Sequence, residues 1–354
     1  MISAFPPPVT GAAKNSEIIY KELSKSTSVF KINTSVGVIS HERNFVYHLK
    51  RLKQLIENCF ILMRKICIKK SRVYIVPDGG LGLFYTLIYT NICSIFNAEM
   101  VFHYRNYSYI DKKSKILSLC LMLAKNRITH IFLDPYMEKS FINQYGDVKS
   151  SLIFLNSAFI ENILINVKNG GAILKVGYLS NLCEEKGLYD VIKLIEDCED
   201  LHQRVNFFIA GKAVGKKDME AINLLSKKYP KAVTYAGEMY GNEKNIFYEN
   251  SDIFIFPTKY RQEAQPNVIF EAMAQGCVVV ANKKGSISWM LEDCGFSINE
   301  EKFFSHEAKE IILDFINNPN KLIAYKNKSL EKISNLKIAG KEQYKKAIEL
   351  MLED

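Results

Sequence analysis

Short apolar runs alternate with stretches of helical periodicity along nearly the whole chain. In the first half the runs at 2–5, 29–32, 72–76, 100–102, 128–133 and 151–155 read as strands, and in the second those at 173–179, 207–210, 233–236, 253–256 and 277–281. Their alternation with helical patterns predicts mostly parallel sheets. Helical patterns fill the gaps at 14–23, 44–70, 83–96, 112–125, 135–145 and 188–195. Beyond Gly285 the chain turns helical and charged as far as 341–352. Strand–helix alternation of this kind predicts an α/β architecture.

A chain of 354 residues exceeds the size at which one core keeps growing, so two domains are expected. We place them at residues 1–165 and 166–335, the second opening near Gly170, with a terminal helical segment at 336–354. The 48% of apolar residues supplies ample core and excludes a disordered chain. The net charge of +9 is unevenly spread: residues 1–165 hold 21 Lys+Arg against 11 Asp+Glu, and residues 166–354 hold 26 against 27. Basic excess confined to one domain suits an anionic partner. Much of it lies in 44–70, where Lys50, Arg51, Lys53, Arg64, Lys65, Lys69 and Lys70 interleave with Leu49, Leu52, Leu55, Ile56, Phe60, Met63 and Ile66. Such a basic amphipathic helix either lies on anionic lipid or is a surface helix with solvated lysines and a core-facing stripe. Nothing in the sequence resembles a nucleic-acid-binding motif. The eight cysteines show no metal-ligand spacing, so a reduced, cytoplasmic setting is expected. No secretory signal or spanning apolar segment is visible, which adds the inner membrane face as a peripheral location.

Candidate chemistry concentrates at 251–285. The apolar run 253–256 ends at Pro257, a polar loop carries Glu263, and Glu271 follows within a helical pattern that includes Glu-Ala-Met-Ala-Gln-Gly. Glu263 would then sit at the carboxyl end of a strand, where open α/β sheets bind ligands, and Glu271 about two turns along the next helix. This segment resembles the Glu-x7-Glu signature of the family 4 retaining glycosyltransferases, of the bacterial surface-polysaccharide type. The resemblance implies the GT-B fold: two Rossmann-like domains facing across a cleft, with a last helix crossing back to the first.

Other segments extend it. Strand 173–179 runs through Ser180 and Asn181 to Lys186-Gly187, similar to the family's Gly-Arg-Leu…Lys-Gly diphosphate loop. Asn181 stands at the Arg position, so one cation is missing, and Arg261 is a candidate to compensate; without a ligand, Lys-Gly before a helix is also a plain turn. His103 follows strand 100–102 in the place of the family's cleft histidine, with Arg105 after it as a phosphate or acceptor contact. Gly11-Ala12, after Pro6-Pro7-Pro8, resembles the family's first loop with its Gly pair reduced. The Gly79-Gly80-Leu81-Gly82 turn suits a nucleotide loop or a close helix–sheet approach, and it lacks the third glycine of the dinucleotide fingerprint. Asn156 looks like the strand-Asn turn at the close of the first domain, and Gly211 and Gly237 match further strand-end turns.

By resemblance, Lys186, Asn181 and the loop at Ala264, Gln265, Asn267 and Val268 would hold the donor diphosphate. Glu263 would hold the donor sugar, Glu271 the ribose, and His103 would face the sugar. Gly11, Ala12 and Arg105 would contact acceptor or phosphate. The expected activity is transfer of a hexosyl or N-acetylhexosaminyl group from a nucleoside diphosphate, UDP favoured, to a glycan on a polyprenyl-diphosphate lipid destined for O-antigen or capsule. No metal or other cofactor is expected. A sugar-nucleotide epimerase of the same fold and a non-catalytic nucleotide-sugar-binding protein are the alternatives.

Overall fold

The computed structural model describes residues 1–8, 10–37, 45–68, 71–167, 171–299 and 301–353. Asn44, Lys69 and Lys70 of the basic helix, and Gly170 at the expected domain start, lie outside these residues. The chain forms two compact units, Met1–Phe159 with Ala339–Asp354, and Ile160–Ile338.

In the first unit the strands are β1 (Ile2–Ser3), β2 (Ile32–Asn33), β3 (Arg72–Ile75), β4 (Glu99–His103), β5 (Ile128–Phe132) and β6 (Ser151–Ile153). They lie in the order β2-β1-β3-β4-β5-β6, and every pair is parallel. One face of this sheet packs Tyr74, Val101, Ile131 and Phe154 against Ile19 and Leu23 of the helix Gly11–Leu23, together with Ala347 and Ile348. Two helix starts differ from the expectation because a side chain caps them. Thr10 accepts the Ala13 amide at 3.1 Å, so the first helix opens at Gly11 rather than 14. Ser114 accepts the Leu117 amide at 3.3 Å, so the helix of the stretch 112–125 runs Lys115–Ala124, with a separate turn Ser108–Asp111 before it.

The second unit holds β7 (Leu174–Leu179), β8 (Val205–Ala210), β9 (Val233–Tyr235), β10 (Ile253–Phe256), β11 (Val278–Asn282) and β12 (Phe296–Ile298). Their order is β12-β11-β10-β7-β8-β9, again wholly parallel. β10 and β11 are buried at every position, the expected consequence of helices on both faces. Leu188, Val191, Leu194 and Ile195 form the buried stripe of the helix Leu188–Asp197, which joins Leu174, Val176, Phe207 and Ile255 in the main core. Two helices, Lys216–Lys228 and Asn242–Glu249, and the strand β12 have no counterpart in the sequence reading, while Ile287–Leu291 and Phe304–Asn317 fall in the stretch beyond Gly285 expected to be helical. The helix Pro319–Leu352 serves both units: Lys326 pairs with Asp252 at 2.9 Å in the second, and Tyr344 packs on Phe154 in the first. The eight cysteines are free thiols. Among the described residues no helix is long and apolar enough to cross a membrane.

These two strand orders fix where loops can converge on a ligand. Sheet order reverses between β7 and β10 in the second unit, and between β1 and β3 in the first. At such a switch point the connections leave on opposite faces and open a crevice at the carboxyl ends of the strands.

Candidate functional site

Lys186 and Glu263 follow the two strands that flank the switch point of the second unit. The Lys186 ammonium donates to Glu263 Oε2 at 2.6 Å, and Thr258 Oγ1 donates to the same oxygen at 3.1 Å. Both charged side chains are mostly shielded from water. Residues 77 apart therefore make one charge-assisted contact, stronger than a neutral hydrogen bond. Its geometry is held from both sides. The Tyr178 hydroxyl donates to the Lys186 carbonyl at 2.9 Å, the Lys259 amide donates to the Glu185 carbonyl at 2.9 Å, and the Lys186 ammonium lies 4.5 Å from the Tyr260 ring centre. Gly187 then takes φ +82°, and a Cβ there would lie 2.1 Å from the Pro257 carbonyl oxygen. Only glycine lets the two loops approach this closely.

The loop beyond Glu263 turns inward. Ala264, Gln265 and Pro266 are buried, Asn267 and Val268 half-buried, and the Ser286 amide donates to the Ala264 carbonyl at 2.9 Å. The helix Asn267–Ala274 opens after Pro266, which offers no capping side chain, so its amino-terminal partial charge faces the loop. Glu271 sits just over one turn into this helix rather than two turns, because the helix begins at Asn267. Its carboxylate pairs with Lys244 and accepts the Tyr248 hydroxyl at 3.1 Å. Burial, together with Glu271, pushes the Tyr248 hydroxyl well above its ordinary pKa. Asn181 is exposed on the link leaving β7, and Arg261 is exposed on the Glu263 loop. A cavity of about 510 Å³ opens beside β8 and β9, lined by Phe208, Ala236, Met239 and Phe247, but it takes in none of Lys186, Glu263 and Glu271.

In the first unit His103 is the last residue of β4 and is fully buried. Its Nδ1 lies 2.6 Å from the Tyr74 hydroxyl, its ring stacks on Phe154 at 5.1 Å, and its Nε2 has no partner among the described residues. Burial, reinforced by Arg105, holds the imidazole well below its ordinary pKa, so the ring is neutral. Arg105 donates to the Ala12 carbonyl at 3.2 Å and to Ser16 Oγ at 3.0 Å. The structure thus brings Arg105 to the Gly11-Ala12 turn, which is the first turn of a helix rather than a loop.

A second imidazole, His130, accepts or donates at 2.9 Å with Tyr104 and is pulled down to about 4 by burial. Both rings stay neutral in the folded unit, whereas the unfolded chain takes up protons near pH 6.5. Their contribution is complete above pH 6.5 and is lost as pH falls toward 4. The slope reaches at most about 1.4 kcal/mol per pH unit for each ring. Thermal unfolding followed from pH 7.5 to 4.5 should show the first unit losing stability over this window, and His130→Asn should flatten the slope. A flat profile in the parent chain would contradict the neutral-ring assignment.

Several groups that meet the site residues escaped the sequence reading, among them Thr258, Tyr178, Lys244 and Tyr248. Thr258 was visible, directly after the strand-ending proline. Lys244 and Tyr248 lie on a helix whose pattern was not read, and nothing local connects them with Glu271.

Residues 172–332, just under half of the chain, match the family model described as glycosyl transferases group 1. No curated protein sequence matches the chain. Among solved structures, Anabaena HepE in complex with UDP and glucose aligns over 98% of this chain and 99% of its own, at 16% identity and a TM-score of 0.66. A glycosyltransferase from Rickettsia africae ESF-5 aligns over 99% and 97%, at 12% identity and TM-score 0.61. Sucrose-phosphate synthase from Thermosynechococcus elongatus aligns over 90% and 82%, at 13% identity and TM-score 0.64. The chain thus has the GT-B fold of these structures, and within it residues 172–332 match glycosyl transferases group 1.

Proposed function

We propose that the protein is a retaining glycosyltransferase of the family 4 type, moving a sugar from a nucleoside diphosphate to a glycan acceptor. The observation that carries this reading is the Lys186–Glu263 pair, supported by Thr258, at the switch point of the group 1 segment. A leaving diphosphate gathers negative charge in the transition state, and a cation fixed beforehand stabilises that charge without reorganising. Lys186 and the amides at the start of the helix Asn267–Ala274 fill this role, and the reading assigns none to a metal. Glu263 then accepts from the donor sugar's hydroxyls and Glu271 from the ribose hydroxyls. The bond from the anomeric carbon to the diphosphate oxygen breaks as the acceptor oxygen bonds on the same face. The acceptor's proton passes to the departing diphosphate. Neutral His103, fully buried and with its Nε2 unpartnered among the described residues, is assigned to the sugar, and Arg105 with Gly11-Ala12 is assigned to acceptor or phosphate.

UDP is the favoured donor nucleotide, since the Anabaena structures were solved with UDP and UDP-glucose. The acceptor is proposed as a polyprenyl-diphosphate-linked precursor of a surface polysaccharide. It would be reached from the cytoplasmic side, where the basic first unit complements its anionic diphosphate and the leaflet holding it.

A thermal-shift panel of UDP, GDP, ADP and CDP on the parent chain and on Glu271→Ala tests the donor site. A ligand at 100 times its Kd adds about 2.7 kcal/mol of stability. UDP should give this shift and Glu271→Ala should abolish it, because the ribose then loses its charged acceptor. Absence of a shift with all four nucleotides would remove the transferase reading.

A further inference from the structure

The helix Phe45–Ile68 carries two apolar faces, and only one of them is used inside the protein. Leu55, Leu62 and Ile66 are buried, while Leu49, Leu52, Ile56 and Phe60 recur at helical spacing on the outside, Phe60 being 66% exposed. The neighbouring helix Leu83–Ile95 has no charged residue at all, and Phe84, Ile88 and Ile95 lie exposed along it. Beside that, the helix Lys115–Ala124 exposes Leu119 and Met122. These three helices pack side by side, the second touching both others. A solvated surface helix would present polar residues outward. Nine outward apolar side chains on adjacent helices expose on the order of 10³ Å², beyond the roughly 300–600 Å² of an ordinary monomer's largest patch.

Charge decides what this face fits. Lys50, Lys53, Arg64 and Lys115 are exposed around it, and Glu57 is the one acidic residue in the three helices. Two copies related by a two-fold axis would bring like charges together, which disfavours self-association. An anionic lipid leaflet answers both features, taking the apolar residues at the headgroup boundary and the lysines at the phosphates. We propose that the outer face of these three helices docks the protein on an anionic membrane surface. The proposal stands on the first unit alone and does not depend on the transferase reading.

Vesicle cosedimentation of the full chain tests it, comparing phosphatidylcholine with phosphatidylcholine containing about one-third phosphatidylglycerol. Binding should be at least tenfold stronger to the anionic vesicles and should weaken with salt. The double variant Phe60→Glu with Ile88→Glu should lose it by a further tenfold or more. Both positions are exposed, so the variant should keep the parent melting temperature and far-ultraviolet circular dichroism, which separates loss of docking from loss of fold. Equal binding to both vesicle types, or binding unaffected by the double variant, would overturn the proposal. So would a concentration-dependent dimer in sedimentation velocity that the same variant dissociates.

Discussion

Lys186→Met should lower glycosyl transfer by about 10²–10³-fold, the loss that follows removal of one fixed donor from a developing oxyanion. Methionine keeps an unbranched chain beside the Tyr260 ring and leaves the Tyr178 hydrogen bond to the backbone carbonyl of residue 186 in place, so the change removes charge with little volume. The drop should appear mainly in kcat, because the diphosphate carries its extra charge only as the sugar departs. Asn181 makes the expectation sharper. Where the related loop would supply two cations, this chain has one, and an amide can donate a hydrogen bond without neutralising an oxyanion. Lys186→Arg, which restores the charge, should recover part of the rate. Steady-state kinetics on the three proteins decide the matter, and a methionine variant with near-parent kcat would remove Lys186 from the chemistry.

Gly187→Ala should destabilise the second unit by about 3 kcal/mol, lowering its melting temperature by roughly 6–12 °C. Two costs combine. A left-handed backbone disfavours any Cβ, and at this position the Cβ would also meet the Pro257 carbonyl oxygen at 2.1 Å, an atom that cannot rotate away. Gly237 separates the two terms, since its φ of +75° is similar and nothing lies within 4 Å of its Cβ. Gly237→Ala should therefore cost only the conformational part, about 1–2 kcal/mol. Circular dichroism melts of the two variants give the comparison, and equal losses would show that the close approach of the two loops adds nothing.

How much of this was legible in the sequence depended on how local the cause was. β10 and β11 could be read because they are fully buried, and their apolar runs are bounded by Pro257 and Gly285. Glu263 and Glu271 could be read because their spacing is short and sits between those two strands. The caps at Thr10 and Ser114 were equally local and were passed over, which shifted two helix starts. The partnerships were a different matter. Lys186 meets Glu263 across 77 residues and Arg105 meets Ala12 across 93, and only the strand order brings them together. The helix Phe45–Ile68 shows the limit most plainly. Its apolar residues outnumber those a single buried stripe requires, yet which of them face the sheet depends on the helix Leu83–Ile95 beside it. β12, three residues long and only partly buried, gives almost no periodic signal.

The first unit is assembled from two distant pieces of chain, residues 1–159 and the stretch from Ala339 onward, which brings Tyr344, Ala347 and Ile348 into its core. The order of synthesis therefore runs against the order of completion. When residue 338 leaves the ribosome the second unit has all of its parts, while the earlier-made unit still lacks the Tyr344 ring that packs on Phe154 and Phe159. The nascent amino-terminal segment must wait, with apolar surface open, until the helix Pro319–Leu352 is translated, and that interval is when chaperone binding or aggregation would compete with folding.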